Sequence, residues 1–315
     1  MSASPDAPLS PAASPPPALL QAALDFSARL LTLETAAQRI RHREDAEAIH
    51  DFRVAARRLT ASLDLWSPLL DPEAALRTRR RVRNLRRRLS VTRDLEVIGA
   101  FLRERIATAH ADARIVLEAR IARIECRLAN QTRRAPGLVT RRRLEKVRRG
   151  LLAAVRRAPA PLESANASSL AQQRIAATRE LALWALNAAW ARRDDESLHQ
   201  ARVRIKAWRD AREIAEAFPA LVSPPDDPAP AAVPSVRELR SIQDALGTVQ
   251  DLSIATGDLE RQARRARKNR LPALAATLDT LIKAALAEKQ AAVVEAQRRA
   301  TTLSVAALRD RAAGA

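Results

Sequence analysis

His50, Arg53 and Arg57 stand three and seven residues apart in the stretch IHDFRVAARRLTASLDLW, the spacing of one helix face. A histidine and two arginines on one face can grip phosphate. Guanidinium is a permanent planar fork that meets phosphate with two hydrogen bonds at once, and imidazole adds a donor that gains charge as pH falls. Just beyond, nine arginines and no acid lie between Arg77 and Arg93. Arg80, Arg83 and Arg87 share one face of that segment, and Val82, Leu85 and Leu89 share the opposite one. Arg86 and Arg88 are read as exposed, or as paired with acids.

The arrangement returns later in the chain. Laying His50 on His199, an offset of 149 residues, puts Arg53 on Arg202, Val54 on Val203, Arg57 on Lys206 and Leu59 on Trp208. Past a proline-rich, acidic stretch at 223–234 the offset becomes 157. Arg80 and Arg83 then fall on Arg237 and Arg240, and Leu85, Leu89, Asp94 and Leu95 on Ile242, Leu246, Asp251 and Leu252. Asp244 stands opposite Arg87, so the second face is less positive. An insertion is absorbed most easily in a loop, which explains the change of offset.

The elements that must carry these residues are helices. The 315 residues include six Gly and no Tyr, and 47% are hydrophobic, mostly Ala, Leu, Val and Ile. With abundant Arg, this is helix-forming composition, whereas a β fold asks for more aromatic and β-branched residues. Helices are expected at 19–43 and from a cap at Asp45 to about Leu70, the latter burying Ile49, Phe52, Ala56, Leu59, Leu63 and Trp66. Another starts at Asp71-Pro72 and breaks near Ser90–Asp94, and the next ends near Thr108. Further helices follow at 111–132 and 138–157, separated near Pro136-Gly137. The second half reads as helices at 168–192, from a cap at Asp194 or Asp195 through the His199 segment, and at 235–246, 250–268 and 272–312. Residues 1–17 form a Pro/Ala/Ser-rich tail expected to be disordered. The expected fold is all-α: two pseudo-symmetric helical bundles, repeat halves 18–157 and 168–310, flanking a basic cavity or groove.

Net charge is +19, with Lys only at 146, 206, 268, 283 and 289, so the positive charge is nearly all Arg. Such a field favours polyanions. Aromatic residues make up 3% of the chain. That argues against a single-strand nucleic-acid reader, which stacks bases on rings. A nucleic-acid-binding protein, with non-specific contacts, is the alternative reading, and an enzyme acting on phosphoanhydrides a more distant one. Cys126 is the only cysteine, so no intrachain disulfide forms and a reducing, cytoplasmic setting is expected. No apolar run is long enough to span a membrane, and residues 1–18 do not read as a signal peptide. His50 and His199 lack the neighbours of a metal site, and His42 and His110 have no partner pattern. Asp94 and Asp251 read as caps or as groups that orient arginines. No glycine loop and no Ser/His/Asp or Cys/His constellation is present, so no catalytic residue, metal or cofactor is assigned.

At these residues the chain resembles the CHAD family, the conserved histidine α-helical domain. The first half-motif is carried by His50, Arg53, Val54, Arg57, Arg58, Leu89, Ser90, Arg93 and Asp94. The second is carried by His199, Arg202, Lys206, Arg209, Gln243, Asp244, Leu246, Gly247 and Asp251. The resemblance spans about residues 18–310. It implies two helical bundles around a basic cavity, binding of inorganic polyphosphate without catalysis, and association with polyphosphate granules. The motifs imply contacts at His50, Arg53, Arg57, Arg58, Arg93, His199, Arg202, Lys206 and Arg209, and the helix faces and the repeat add Arg80, Arg83, Arg87, Arg237 and Arg240. Some relatives add a triphosphatase domain with a Glu-x-Glu-x-Lys signature; this sequence has none, and that activity is not carried over. Three positions depart from the pattern: Ser90 for a usual Gly, Thr60 for a usual Arg, and Asp210 for an aromatic residue.

Overall fold

A computed structural model describes residues 17–43, 47–107, 109, 111–159, 164–218 and 234–313. Ten α-helices account for nearly all of them, and no strand occurs among the described residues. The first six are α1 (Pro17–His42), α2 (Glu47–Leu65), α3 (Pro72–Arg88), α4 (Val91–Ile106), α5 (Ala111–Leu138) and α6 (Arg141–Arg156). The remaining four are α7 (Ser164–Arg192), α8 (Asp195–Ala217), α9 (Val236–Lys268) and α10 (Pro272–Ala313).

Local chemistry sets several ends. Asp71 caps α3 by accepting from the Ala74 N–H at 2.8 Å, with Pro72 in the first turn. Asp194, not Asp195, caps α8 through the Ser197 N–H at 2.7 Å. Ser235 and Glu238 form a reciprocal capping box at the start of α9. The expected cap at Asp45, nearly all of the loop at 223–234, and His110 lie outside the described residues.

Three expected boundaries are corrected. α2 stops at Leu65, and Ser67–Leu69 forms a short 3-10 turn at Pro68, instead of continuing to Leu70. α5 runs through Pro136-Gly137 and ends at Leu138. Pro136 removes one helical bond to the Thr132 carbonyl, and only Gly137 and Leu138 of the helix lie beyond it. Ala135 and Val139 are buried on either side of it. The break placed between 246 and 250 does not exist: α9 is one helix of 33 residues. Gly247 weakens it by about 1 kcal/mol relative to Ala. Buried Leu246, Val249, Leu252, Ala255 and Leu259 on successive turns outweigh that cost.

Three apolar cores hold the helices together. The first joins α1, α2, α3 and α6 with the end of α5 and Ala171 of α7, around Phe26, Phe52, Leu59, Trp66, Val82 and Leu151, and Phe218 packs against it. The second joins α7, α8, the first half of α9 and the distal part of α10, around Leu186, Ile205, Trp208 and Leu246. The third packs α4 and α5 against the remainder of α9 and the start of α10. The first core draws mainly on residues before 160 and the second on residues after 180, and the third is shared between them. Ile49, Phe52, Ala56, Leu59, Leu63 and Trp66 are all buried, as their spacing predicts.

Ion pairs reinforce the junction with one polarity. Arg57, Arg93, Arg105 and Arg120 of the first half meet Asp210, Asp251, Glu288 and Asp258 of the second. α2 packs on α8 and α4 on α9, which brings the two His/Arg faces to the same junction.

Candidate functional site

α2 offers Arg53 and Arg57 one turn apart, flanking its buried stripe, and α8 offers Arg202 and Lys206 in the same way. Where these helices meet, the four side chains are drawn out of bulk water. Burial, the largest cause in each case, pushes all four below their ordinary values. Lys206 goes furthest. Burial, with Arg57 and Arg202 beside it, pushes its ammonium down to about 7.

Two further arginines complete the cluster. Arg93, in the first turn of α4, lies beside both Arg53 and Arg202. Its Nη2 donates to Asp251 Oδ2 at 2.7 Å. Arg86, on α3, lies beside Arg53 and near Asp210, and burial pushes it down as well. The side chains form a closed circuit from four helices: Arg53, Arg93, Arg202, Lys206, Arg57, then Asp210 and Arg86, and back to Arg53.

Two carboxylates are built into this circuit. Asp210 is 3% exposed and accepts from Arg57 Nε at 3.0 Å and from Arg209 Nη2 at 2.6 Å. Burial pushes the Asp251 carboxyl up, against the pull of Arg93 and Arg202. Asp94, Glu96 and Asp244 are exposed. Asp251 orients arginines, as expected of it. One further contact shapes the wall: the Arg202 guanidinium lies close to Gly247, where a Cβ would stand 3.6 Å from Arg202 Nε.

The other predicted residues occupy distinct places. His50 is exposed on α2, one turn before Arg53. His199 is half-buried, with Nδ1 2.8 Å from Gln250 Oε1. Arg80, Arg83 and Arg87 form an exposed outer row along α3, with Val82, Leu85 and Leu89 buried opposite. Arg237 and Arg240 are exposed on α9. Arg58, Arg209 and Arg240 converge on Glu213 at 3.8, 3.3 and 3.4 Å. Arg209 is 5% exposed, so its place is beneath the circuit, holding Asp210 and Glu213. Among the described residues no three His, Cys, Asp or Glu side chains are placed to hold a metal ion.

Sequence reasoning missed Arg86, which is neither exposed nor salt-bridged but half-buried beside Arg53. Its spacing of seven from Arg79, whose Nε meets Asp64 at 2.9 Å, marks a stripe facing inward. It also missed Asp210 as the inner carboxylate, although that residue's departure from the half-motif was the signal. The other departures are local. Ser90 has φ −77°, which needs no glycine, and its hydroxyl donates to Arg87 O at 2.7 Å. Thr60 donates back to Ala56 O at 2.8 Å within α2.

A family model described as the CHAD domain matches residues 25–259. The chain belongs to the CHAD family. The circuit of cations lies within the matched span of this CHAD domain. Two solved structures resemble it over nearly their whole length. One is the crystal structure of the CHAD domain from the plant Ricinus communis, at 19% identity and TM-score 0.67, covering 95% of this chain and 96% of that one. The other is PptA from Streptomyces chartreusis, at 21% identity and TM-score 0.65, covering 91% of this chain and 99% of that one. At such identities the likeness shows the fold. A comparison with curated proteins gives no match. Among the described residues no helix of this CHAD domain is long and apolar enough to cross a membrane.

Proposed function

We propose that this CHAD domain binds inorganic polyphosphate, without turning it over, at the junction of its two halves, and that it associates with polyphosphate granules. The observation that carries the reading is the circuit of Arg53, Arg93, Arg202, Lys206, Arg57 and Arg86, in which burial disfavours five of the six positive charges. A group in that condition gains most from an anion that enters the same low-dielectric space. Polyphosphate matches it: a flexible chain with about one charge per phosphate and no base to read. The outer row on α3 and the exposed Arg237 and Arg240 extend the track. His50 and His199 add ring N–H donors to phosphate.

The test is a calorimetric titration with long-chain polyphosphate, duplex DNA and single-stranded DNA across a salt series. Polyphosphate binds most tightly at physiological salt, and its affinity falls steeply as salt rises, because each neutralised phosphate releases counterions. Equal affinity for all three polyanions would defeat the reading. Reversing the charge at Arg53 and Arg202 together removes binding and leaves helicity by circular dichroism unchanged. Incubation with polyphosphate and Mg2+ or Mn2+ releases no phosphate.

A further inference from the structure

The arginine run on α3 divides into three stripes. Arg79 and Arg86 face inward, toward Asp64 and Asp210. Arg80, Arg83 and Arg87 make the outer row. Arg81 and Arg88, with Asn84 between them, turn toward α6. There they line a groove with Leu85, Arg143 and Lys146. Four cations and no carboxylate border it.

The groove has a fixed frame. Arg81 Nη1 donates to Lys146 O at 3.2 Å. Arg143 Nη1 donates to Gly137 O at 2.9 Å and Leu138 O at 2.8 Å, which holds its guanidinium over the end of α5. α3 and α6 approach closely because Gly150 has no side chain: a Cβ there would lie 2.2 Å from Thr78 Oγ1. Arg88 and Lys146 are exposed, and no acid pairs with either among the described residues.

The start of α6 repeats the message. Its first turn is Arg141-Arg142-Arg143 with no acid, and Thr140 makes no side-chain cap. A helix start is already the positive end of the dipole, and added cations there are unfavourable without an anion nearby. An anion in the groove would meet Arg88 and Lys146, and Arg143 of this first turn.

We propose that the α3–α6 groove is a second phosphate-chain site. A long polyphosphate that occupies the central circuit crosses the outer row Arg80, Arg83 and Arg87 and enters the groove, so α3 is gripped on successive faces. The inference rests on the polyphosphate reading and adds a chain-length preference to it. A short oligophosphate fills the circuit and never reaches α6.

The experiment compares tripolyphosphate with long-chain polyphosphate, using the unaltered chain, the double variant Arg88→Ala with Lys146→Ala, and a control that loses equal charge elsewhere, Arg265→Ala with Lys268→Ala at exposed positions of α9. The groove variant is expected to lose about tenfold in affinity for the long chain, with a salt slope shallower by about two. Its tripolyphosphate affinity and its melting temperature stay unchanged, and the control changes little. An unchanged long-chain affinity, an equal loss for tripolyphosphate, or an equal loss in the control would each overturn the second site while the central reading stood. A groove variant that loses duplex DNA binding but keeps polyphosphate would overturn it as well. Failure of the unaltered chain to bind either phosphate would remove both.

Discussion

Arg57 on α2 donates its Nε to Asp210 Oδ2 on α8 across 3.0 Å, and Asp210 takes a second hydrogen bond from Arg209 beside it. One nearly inaccessible carboxylate therefore serves two guanidiniums at the junction of the halves. Asp210→Ala is expected to destabilise the fold by about 3–5 kcal/mol, because breaking a buried pair leaves uncompensated charge. The denaturant midpoint measures it. Polyphosphate is expected to raise the midpoint of Asp210→Asn more than that of the unaltered chain, since the ligand replaces the missing negative charge. A midpoint shift of Asp210→Ala below a few tenths of a kcal/mol would contradict this account.

Lys206 predicts the pH dependence. Its ordinary value is 10.5, and burial pushes it down to about 7 in the fold. Between those values the unfolded chain holds a proton that the folded chain has released. Stability from this group therefore rises with pH across the window, and its penalty is complete below about 7. Lys206→Met removes the penalty, so the variant is the more stable protein at neutral pH and its advantage shrinks as pH approaches 10. Urea midpoints at several pH values test both statements.

The same lysine couples ligand to proton. A phosphate beside Lys206 favours the ammonium, so binding above neutral pH takes up a proton, and affinity weakens as pH rises. Titration in buffers of different ionisation heat reads the uptake directly. In Lys206→Arg the uptake at this position disappears, while binding persists.

Two helical glycines should respond oppositely to alanine. At Gly247 a Cβ meets only ordinary contact with Arg202, so Gly247→Ala gains about 0.5–1 kcal/mol from the helix and leaves binding intact. At Gly150 the new Cβ lands 2.2 Å from buried Thr78 Oγ1, and the helices must part. Overpacking of that kind costs about 1–3 kcal/mol. Thermal melts of the two variants, compared with the unaltered chain, test the pair.

Much of this molecule is legible in one dimension. The stripe from Ile49 to Trp66 and the opposed faces of α3 are fixed by 3.6-residue periodicity, a property of each segment alone. The half-motifs marked Arg53, Arg57, Arg93, Arg202 and Lys206 as one set, and the structure brings those five together. The misjudged breaks share a cause. Pro136 and Gly247 are local signals worth at most a few kcal/mol, and burial of the neighbouring apolar side chains, set by distant helices, overrides them.

The sequence by itself determined the all-α class, the positive field and the faces on which the cations stand, because composition and helical phase are local. Only the tertiary structure decided which faces meet. It closed the circuit through Arg86, placed Asp210 and Asp251 within it, sank Arg209 beneath it and left Arg80, Arg83 and Arg87 outside. Those outcomes depend on how α2 and α4 pack against α8 and α9, contacts between residues about 150 positions apart, and on the desolvation that follows. No spacing within one helix encodes which distant charge will share its dry surface.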